Sequence, residues 1–460
     1  MTSVANFTPK SAILSFVITH ELLTMRLFLD SLANKYSRMK EFINNCYTNS
    51  RMKSVAPFFL RWKFYKTICA FFITVGLLSC TADNDLDFSE SPMPVKSKGH
   101  HISEEDAMNI ASVLFPETRV NQSYQIGYVL TDKANTTRAK SGPDTLAYII
   151  NRKNGGFVLI STDNRISPIL AYSETGTFNI NDSGYEKVYD NFLSKLESHY
   201  EMISESDTVI DVPDDFMTSC VLSQPKTVRS WSQGSPYNAY VHIEHPNCMV
   251  GCVAIAAGQL MSRCKNDLSY HGEDFDFYSI NHAVWDDSLE HRPLKTIPDR
   301  VLIDYTLEEG IDRIAKLLYW IGKDVNMNYG VDASGTYSSY ARNLLQNTGY
   351  EVSKFMAYAD STVMGYVYQD YLLYVDGTWL NGTGRHAFII DGGRFCWNEE
   401  NNPNSGMRDI YVHCDWGDGG NFNGYYCGDV FEPIPGLECG NMIYFAVKDE
   451  TAGYQLFPNH

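Results

Sequence analysis

Four residues spread through this chain have the types that thiol-mediated acyl transfer needs, in the order Gln233, Cys252, His386, Asp415. Cys252 follows Gly251 and opens a run containing Val253, Ala254, Ile255, Ala256, Ala257, Leu260 and Met261. A segment apolar all round reads as a buried helix, here from Cys252 to Arg263. The N-terminus of such a helix presents free N–H groups and a positive dipole end, which favour thiolate over thiol. Nucleophilic cysteine also needs a base to take its proton. His386 opens the apolar strand Ala387–Asp391 and can hold its ring at a cleft edge. Asp415, followed by Trp416 and Gly417, can accept from the far ring nitrogen, fix the tautomer and stabilise the imidazolium. Trp416 can shield that bond from water. Gln233 supplies a side-chain amide that, with the Cys252 N–H, can form an oxyanion hole. Each feature alone is common, since cysteines are often buried and inert. Their order assigns every role.

The elements that must position these residues fall into two units. Ser103 with Asp106 caps a helix through about Leu114, closed by Pro116. Short strands follow at Tyr124–Leu130, Leu146–Asn151, Phe157–Ser161 and Ile169–Tyr172, with Asn154-Gly155-Gly156 as a hairpin turn. Tyr185–Ile203 has amphipathic helical spacing. Residues 101–205 thus form a small α+β unit. An acidic linker, 206–225, leads to a larger unit over 226–460, with amphipathic helices at Ile311–Val325 and Tyr340–Gln346. Its later part turns to strands at Ala387–Asp391, Ile410–Cys414, Tyr425–Tyr426 and Met442–Val447. Helices first and strands last give an α+β domain with two halves.

The chain has 460 residues, 44% of them hydrophobic and 13% aromatic, enough to fill more than one core. A formal net charge of −18 argues against a nucleic-acid partner, which would need cations to displace phosphate counterions. The charge is uneven: residues 1–80 carry ten Lys/Arg against three Asp/Glu, leaving 27 basic and 52 acidic residues beyond. Arg51, Lys53, Arg61, Lys63 and Lys66 precede an uncharged run from Thr67 to Cys80. Its apolar part is too short for the ~20 residues of a membrane span and suits a secretory signal. The ending Leu77-Leu78-Ser79-Cys80 resembles a bacterial lipobox, which implies lipid on Cys80 and a membrane partner through that anchor. Residues 1–51 then read as an upstream extension or a misassigned start, 52–80 as the signal and 81–100 as a tether. The acidic stretch after Cys80 is similar to the export signals of Bacteroidetes surface lipoproteins. The expected location is the outer membrane or cell surface.

Trp231-Ser232-Gln233 with Pro236-Tyr237-Asn238, Gly251-Cys252-Val253-Ala254, His386-Ala387-Phe388-Ile389-Ile390-Asp391-Gly392 and Asp415-Trp416-Gly417 together resemble the streptopain (C10) cysteine peptidases. Met327-Asn328-Tyr329-Gly330 with Ser334-Gly335 resembles the substrate-cleft segment of that family. The front unit, through Gly156–Arg165 and Pro168–Ser173, is similar to its Spi-type inhibitory prodomain. The resemblance implies a two-lobed, papain-like α+β peptidase made as a zymogen, without cofactor or metal. Its partners would be protein or peptide substrates and its own prodomain. Cys252 would attack, His386 act as base then acid, Asp415 orient the ring, and Gln233 stabilise the oxyanion. Asn328, Tyr329, Gly330, Ser334 and Trp416 would line the cleft.

The chain departs from the family pattern in three places. Asp415 stands where the family usually has Asn, and Asp418 where it has a further Trp. The stretch from Tyr350 to Gly384 looks short and lacks the usual Arg-Pro-Val-like strand. These departures leave room for a silent surface-binding lipoprotein, and Cys-His-Asp also serves transglutaminase-type acyl transfer. Lys226 and Arg229 are expected at the junction of the units, as cleavage sites or solvated charges.

Overall fold

A computed structural model describes residues 100–115, 124–130, 145–182, 184–202, 210, 220–289, 294, 297–378, 384–396, 410–432 and 442–451. The expected extension, signal, Cys80, nearly all of the tether and most of the linker lie outside the described residues.

The front unit begins with α1 (Glu104–Leu114). Ser103 Oγ accepts from the Asp106 N–H at 3.1 Å while the Asp106 carboxylate accepts from the Ser103 N–H at 3.3 Å, the reciprocal cap read from the sequence. Four strands follow, β1 (Tyr124–Leu130), β2 (Thr145–Arg152), β3 (Phe157–Ser161) and β4 (Ile169–Ser173), paired as an antiparallel meander. Then α2 (Tyr185–Val188) runs through a π turn at Tyr189–Leu193 into α3 (Ser194–Met202).

The second unit opens with β5 (Cys220–Ser223), α4 (Ala239–Glu244) and α5 (Cys252–Cys264). The hairpin β6 (Leu268–Tyr270)–β7 (Glu273–Phe275) precedes α6 (Phe277–Ala283), α7 (Leu307–Asp324) and α8 (Ser338–Asn347). Last come β8 (Met356–Ala357), α9 (Asp360–Tyr368), β9 (Tyr371–Thr378), β10 (Arg385–Cys396), β11 (Ile410–Asp415), β12 (Gly424–Cys427) and β13 (Met442–Lys448).

One antiparallel sheet joins the two units, in the order β1-β2-β3-β4-β12-β11-β10-β9-β13-β8, with β5 also on β10. The seam is β4 on β12, with Tyr172 opposite Tyr425 and Ala171 opposite Tyr426. The Tyr172 and Tyr425 rings stack at 5.1 Å across it. Strand alternation then divides the apolar residues between two cores. Leu373, Val375, Phe388 and Ile390 enter a core shared with the front unit. Leu372, Tyr374, Ala387 and Ile389 enter the other, packed against α5, α7 and α8. This is the α+β, two-lobed arrangement expected, with the front unit's strands extending the sheet.

Three expectations need correction. The 350–384 stretch does contain a strand, β9, and it lies between β10 and β13 in the middle of the sheet. Leu372-Leu373-Tyr374-Val375 is buried on both faces, so it carries no alternation by which to recognise it. The linker reading of 206–225 runs too far, because Cys220–Ser223 pairs with β10. Lys226 is neither a solvated charge nor an open cleavage site: its side chain is buried on Asp449 at 2.8 Å. Thr227 beside it is buried and donates to Asp391. Arg229 pairs with Asp286 at 3.1 Å.

The seam is tight at Gly424, where a Cβ would lie 2.6 Å from the Tyr172 carbonyl oxygen. Overpacking of this kind typically costs about 1–3 kcal/mol. In the full chain, Gly424→Val is expected to speed hydrogen exchange of the β4 amides roughly tenfold. Exchange in α5 of the same sample provides the reference.

Candidate active site

Cys252 is the first residue of α5, and Gly251 before it has φ 94°, a conformation that favours glycine. A Cβ there would lie 2.8 Å from the Met327 side chain and 3.1 Å from the Ser334 carbonyl oxygen. The 327–335 segment therefore packs directly against the nucleophile's turn. Asn328 and Gly335 exchange backbone hydrogen bonds at 3.0 and 3.1 Å, closing the segment into a loop. Ser334 Oγ donates to the Met249 carbonyl at 2.6 Å, and the Met249 N–H donates to the Gly330 carbonyl at 3.0 Å. Tyr329 stacks on His245 at 4.4 Å. The Gln233 carbonyl accepts from the Val250 N–H at 2.9 Å, which places the Gln233 loop beside the same turn. Gln233, Cys252, Asn328, Tyr329, Gly330 and Ser334 are thus brought to one neighbourhood.

His386 is buried near the start of β10. Its Nε2 lies 2.9 Å from the Trp416 carbonyl oxygen. A carbonyl only accepts, so Nε2 carries the proton and Nδ1 is left with its lone pair. The ring lies nearly parallel to Phe388 at 6.2 Å and to Trp416 at 6.3 Å. It therefore occupies the β10 face that belongs to the core shared with the front unit. The Cys252 sulfur instead meets the backbone N–H of Ala387, the next residue. Among the described residues no hydrogen bond joins Cys252 to His386.

Asp415 is fully buried and does not touch His386. Its Oδ2 accepts from Gln259 Nε2 at 2.9 Å, Thr227 Oγ1 at 3.0 Å and Arg263 Nη2 at 3.4 Å. Its Oδ1 accepts from the Gly417 N–H at 3.1 Å. The expected orienting bond to the histidine is made by the Trp416 carbonyl instead. The reason is local: the charge of Asp415 is matched by Arg263 on α5, and strand geometry turns the next peptide carbonyl toward the ring. Sequence reasoning missed Trp416 in this role because a backbone carbonyl leaves no mark in residue type.

Both reacting groups are held uncharged. Burial pushes the Cys252 thiol up, against the Ala387 N–H and the Lys187 cation, which favour the thiolate. Burial, reinforced by Lys187, brings His386 down to about 3, although the Trp416 carbonyl and Asp418 pull the other way. The dipole argument from sequence is outweighed here by desolvation. Lys187 comes from α2 of the front unit and pairs with Asp418 at 2.5 Å.

The His386 protonation is directly observable. In the full chain with Cys252→Ala, ring nitrogen shifts in NMR are expected to show His386 neutral from pH 8 to 4. Once the front unit is removed, the same ring should take up a proton at a higher pH than in the intact chain.

Residues 231–426 match the profile described as the Peptidase C10 family, and residues 99–199 match that of the Spi protease inhibitor. Streptopain of Streptococcus pyogenes serotype M28 is 26% identical over 339 residues, covering 66% of this chain and 78% of the relative. Streptopain of serotype M1 is 25% identical over the same span. A solved fragment of Prevotella intermedia prointerpain A, a cysteine-to-alanine mutant, is 19% identical with a TM-score of 0.43, covering 70% of this chain and 98% of the fragment. Residues 231–426 thus carry a Peptidase C10 domain, and residues 99–199 in front of it a Spi-type inhibitor domain.

Proposed function

We propose that this chain is a cysteine endopeptidase held latent by its own prodomain. The observation that carries this reading is Cys252 at the head of α5, its sulfur against the amide that follows His386, with a prodomain lysine paired to Asp418 two residues after Trp416. In turnover the Cys252 thiolate attacks the scissile carbonyl carbon. His386 accepts the thiol proton and later gives it to the leaving amine. The Cys252 N–H and the Gln233 amide receive the oxyanion, and loss of one such donor typically costs ~3 kcal/mol of barrier. Water then hydrolyses the thioester. The 328–334 loop and Trp416 border the cleft. Asp415 acts as a positioning residue, holding the peptide that presents the Trp416 carbonyl.

The His386 ring occupies the prodomain-facing side of β10, so maturation includes its swing toward Cys252. That coupling gives the prodomain control over both access and proton transfer. Cys252→Ala is expected to abolish hydrolysis of casein by the processed protein while its thermal midpoint stays within a few degrees of the parent. Casein cleavage retained by this variant and blocked by a thiol alkylator would reassign the nucleophile. A processed protein whose Cys252 resists an epoxide thiol trap would instead be a binding lipoprotein on a peptidase scaffold.

We further propose that Cys80 carries lipid and tethers the zymogen, at its prodomain side, to the outer membrane or cell surface. The lipobox-like Leu77-Leu78-Ser79-Cys80 supports this. Palmitate fed to expressing cells should label the chain, and Cys80→Ser should lose the label and leave the membrane fraction. Equal labelling of both would exclude Cys80 as the anchor point.

A further inference from the structure

Asp418 has no part in the chemistry above, yet it stands two residues after Trp416, whose carbonyl holds His386. Its ion pair with Lys187 Nζ, at 2.5 Å, is its only one among the described residues. The two side chains are largely buried, 17% and 24% exposed. The Lys187 charge acts on both Cys252 and His386, and that of Asp418 on His386. The pair is partly buried, two residues from the carbonyl that holds His386.

The prodomain helix is fitted to this spot. Asn191, one turn beyond Lys187, donates from Nδ2 to the Lys187 carbonyl at 2.7 Å. Its Oδ1 lies where a Cβ on Gly377 would be, and Gly377 is the cross-strand neighbour of His386. Gly184, just before α2, leaves room for the Asp418 carboxylate, which any side chain there would strike. Nearby, Asn421 Nδ2 donates to Asp182 Oδ2 at 3.0 Å. The prodomain thus crosses the site with one basic side chain laid on one cleft carboxylate.

We propose that Asp418 is a specificity-determining residue that receives a Lys or Arg side chain of the substrate, and that Lys187 occupies this place in the zymogen. The inference rests on the peptidase reading above. When the prodomain leaves, a partly desolvated carboxylate loses its cation close to the scissile bond. A basic substrate side chain restores the pair, a neutral one leaves it unmatched, and an acidic one is repelled. Charge-assisted pairing in a half-buried cleft makes roughly a tenfold difference in kcat/KM at low salt a reasonable scale, decreasing as salt screens it.

The test uses the matured enzyme on peptides carrying Lys, Arg, norleucine or Glu at each position near the scissile bond. At one position Lys and Arg should exceed norleucine roughly tenfold in kcat/KM, and Glu should be poorest. That Lys-to-norleucine ratio should fall toward one in Asp418→Asn, and in the wild-type enzyme it should decline as salt is raised. The salt series needs no variant, so it decides even where Asp418→Asn misfolds. A flat panel, or a basic preference that is insensitive to salt and unchanged in Asp418→Asn, overturns the proposal while leaving a working peptidase. If no peptide is cut and the epoxide trap does not label Cys252, the peptidase reading itself fails and this subsite falls with it.

Discussion

Arg263 holds together the three elements on which the chemistry is mounted. It lies near the end of α5, the helix that Cys252 begins, and its guanidinium reaches Asp391 on β10 at 3.6 Å and Asp415 on β11 at 3.4 Å. Thr227 Oγ1 accepts from Arg263 Nη1 at 2.8 Å, and its one O–H is shared between Asp391 at 2.6 Å and Asp415 at 3.0 Å. His413 Nδ1 lies 2.6 Å from Asp391. Burial alone would raise the pKa of Asp391, but His413 and Arg263 hold its carboxyl well below the usual carboxylate range. Buried charges are expensive to desolvate, and removing one member of such a set typically costs about 3–5 kcal/mol. The set earns its place by geometry: it fixes the helix that Cys252 begins against the strand of His386 and the turn of the Trp416 carbonyl.

Latency follows from continuing the same sheet outward. Because β4 adds to β12 by backbone pairing, the prodomain is attached through main-chain hydrogen bonds as well as side chains. That seam sits on β12, immediately beyond β11 and the Trp416 turn, so whatever loosens it also frees the surroundings of the His386 ring. Lys187 adds an electrostatic component. A cation near the imidazole opposes its protonation and keeps the base neutral while the buried thiol keeps its proton. In the proposed mechanism the productive form is the opposite state, an ion pair between sulfur and ring, which a desolvated site with a competing cation does not favour.

Much of this was legible in the sequence where burial imposes a period. The Ser103–Asp106 cap, the strands of the front unit and the apolar helix from Cys252 all announce themselves through spacing and residue type. Gln233, Cys252 and the 328–334 loop lie at one turn. What stayed hidden has a common physical cause. Strand β9 is apolar on both faces and so lacks alternation, and β5 is a short edge addition inside a stretch that reads as linker. Asp415 has the residue type of a histidine orienter, yet its partners are set by Arg263 and Gln259, which arrive from a helix more than 150 positions away.

The position of His386 shows how far alternation can be pushed. His386, Phe388 and Ile390 share one face of β10, whereas Ala387 and Ile389 face α5, the helix that carries Cys252. A histidine in that register belongs by default to the prodomain-side core, and the Trp416 carbonyl with the Phe388 and Trp416 rings gives it a complete environment there. Strand register by itself therefore selects the resting rotamer. Reaching the thiol requires the ring to turn past the edge of its own strand, a motion available because His386 lies near the strand's beginning, where the ladder has only just started. A histidine in mid-strand would be locked by neighbours on both sides. Its place at the start of β10 combines a well-packed environment with room for the motion proposed above.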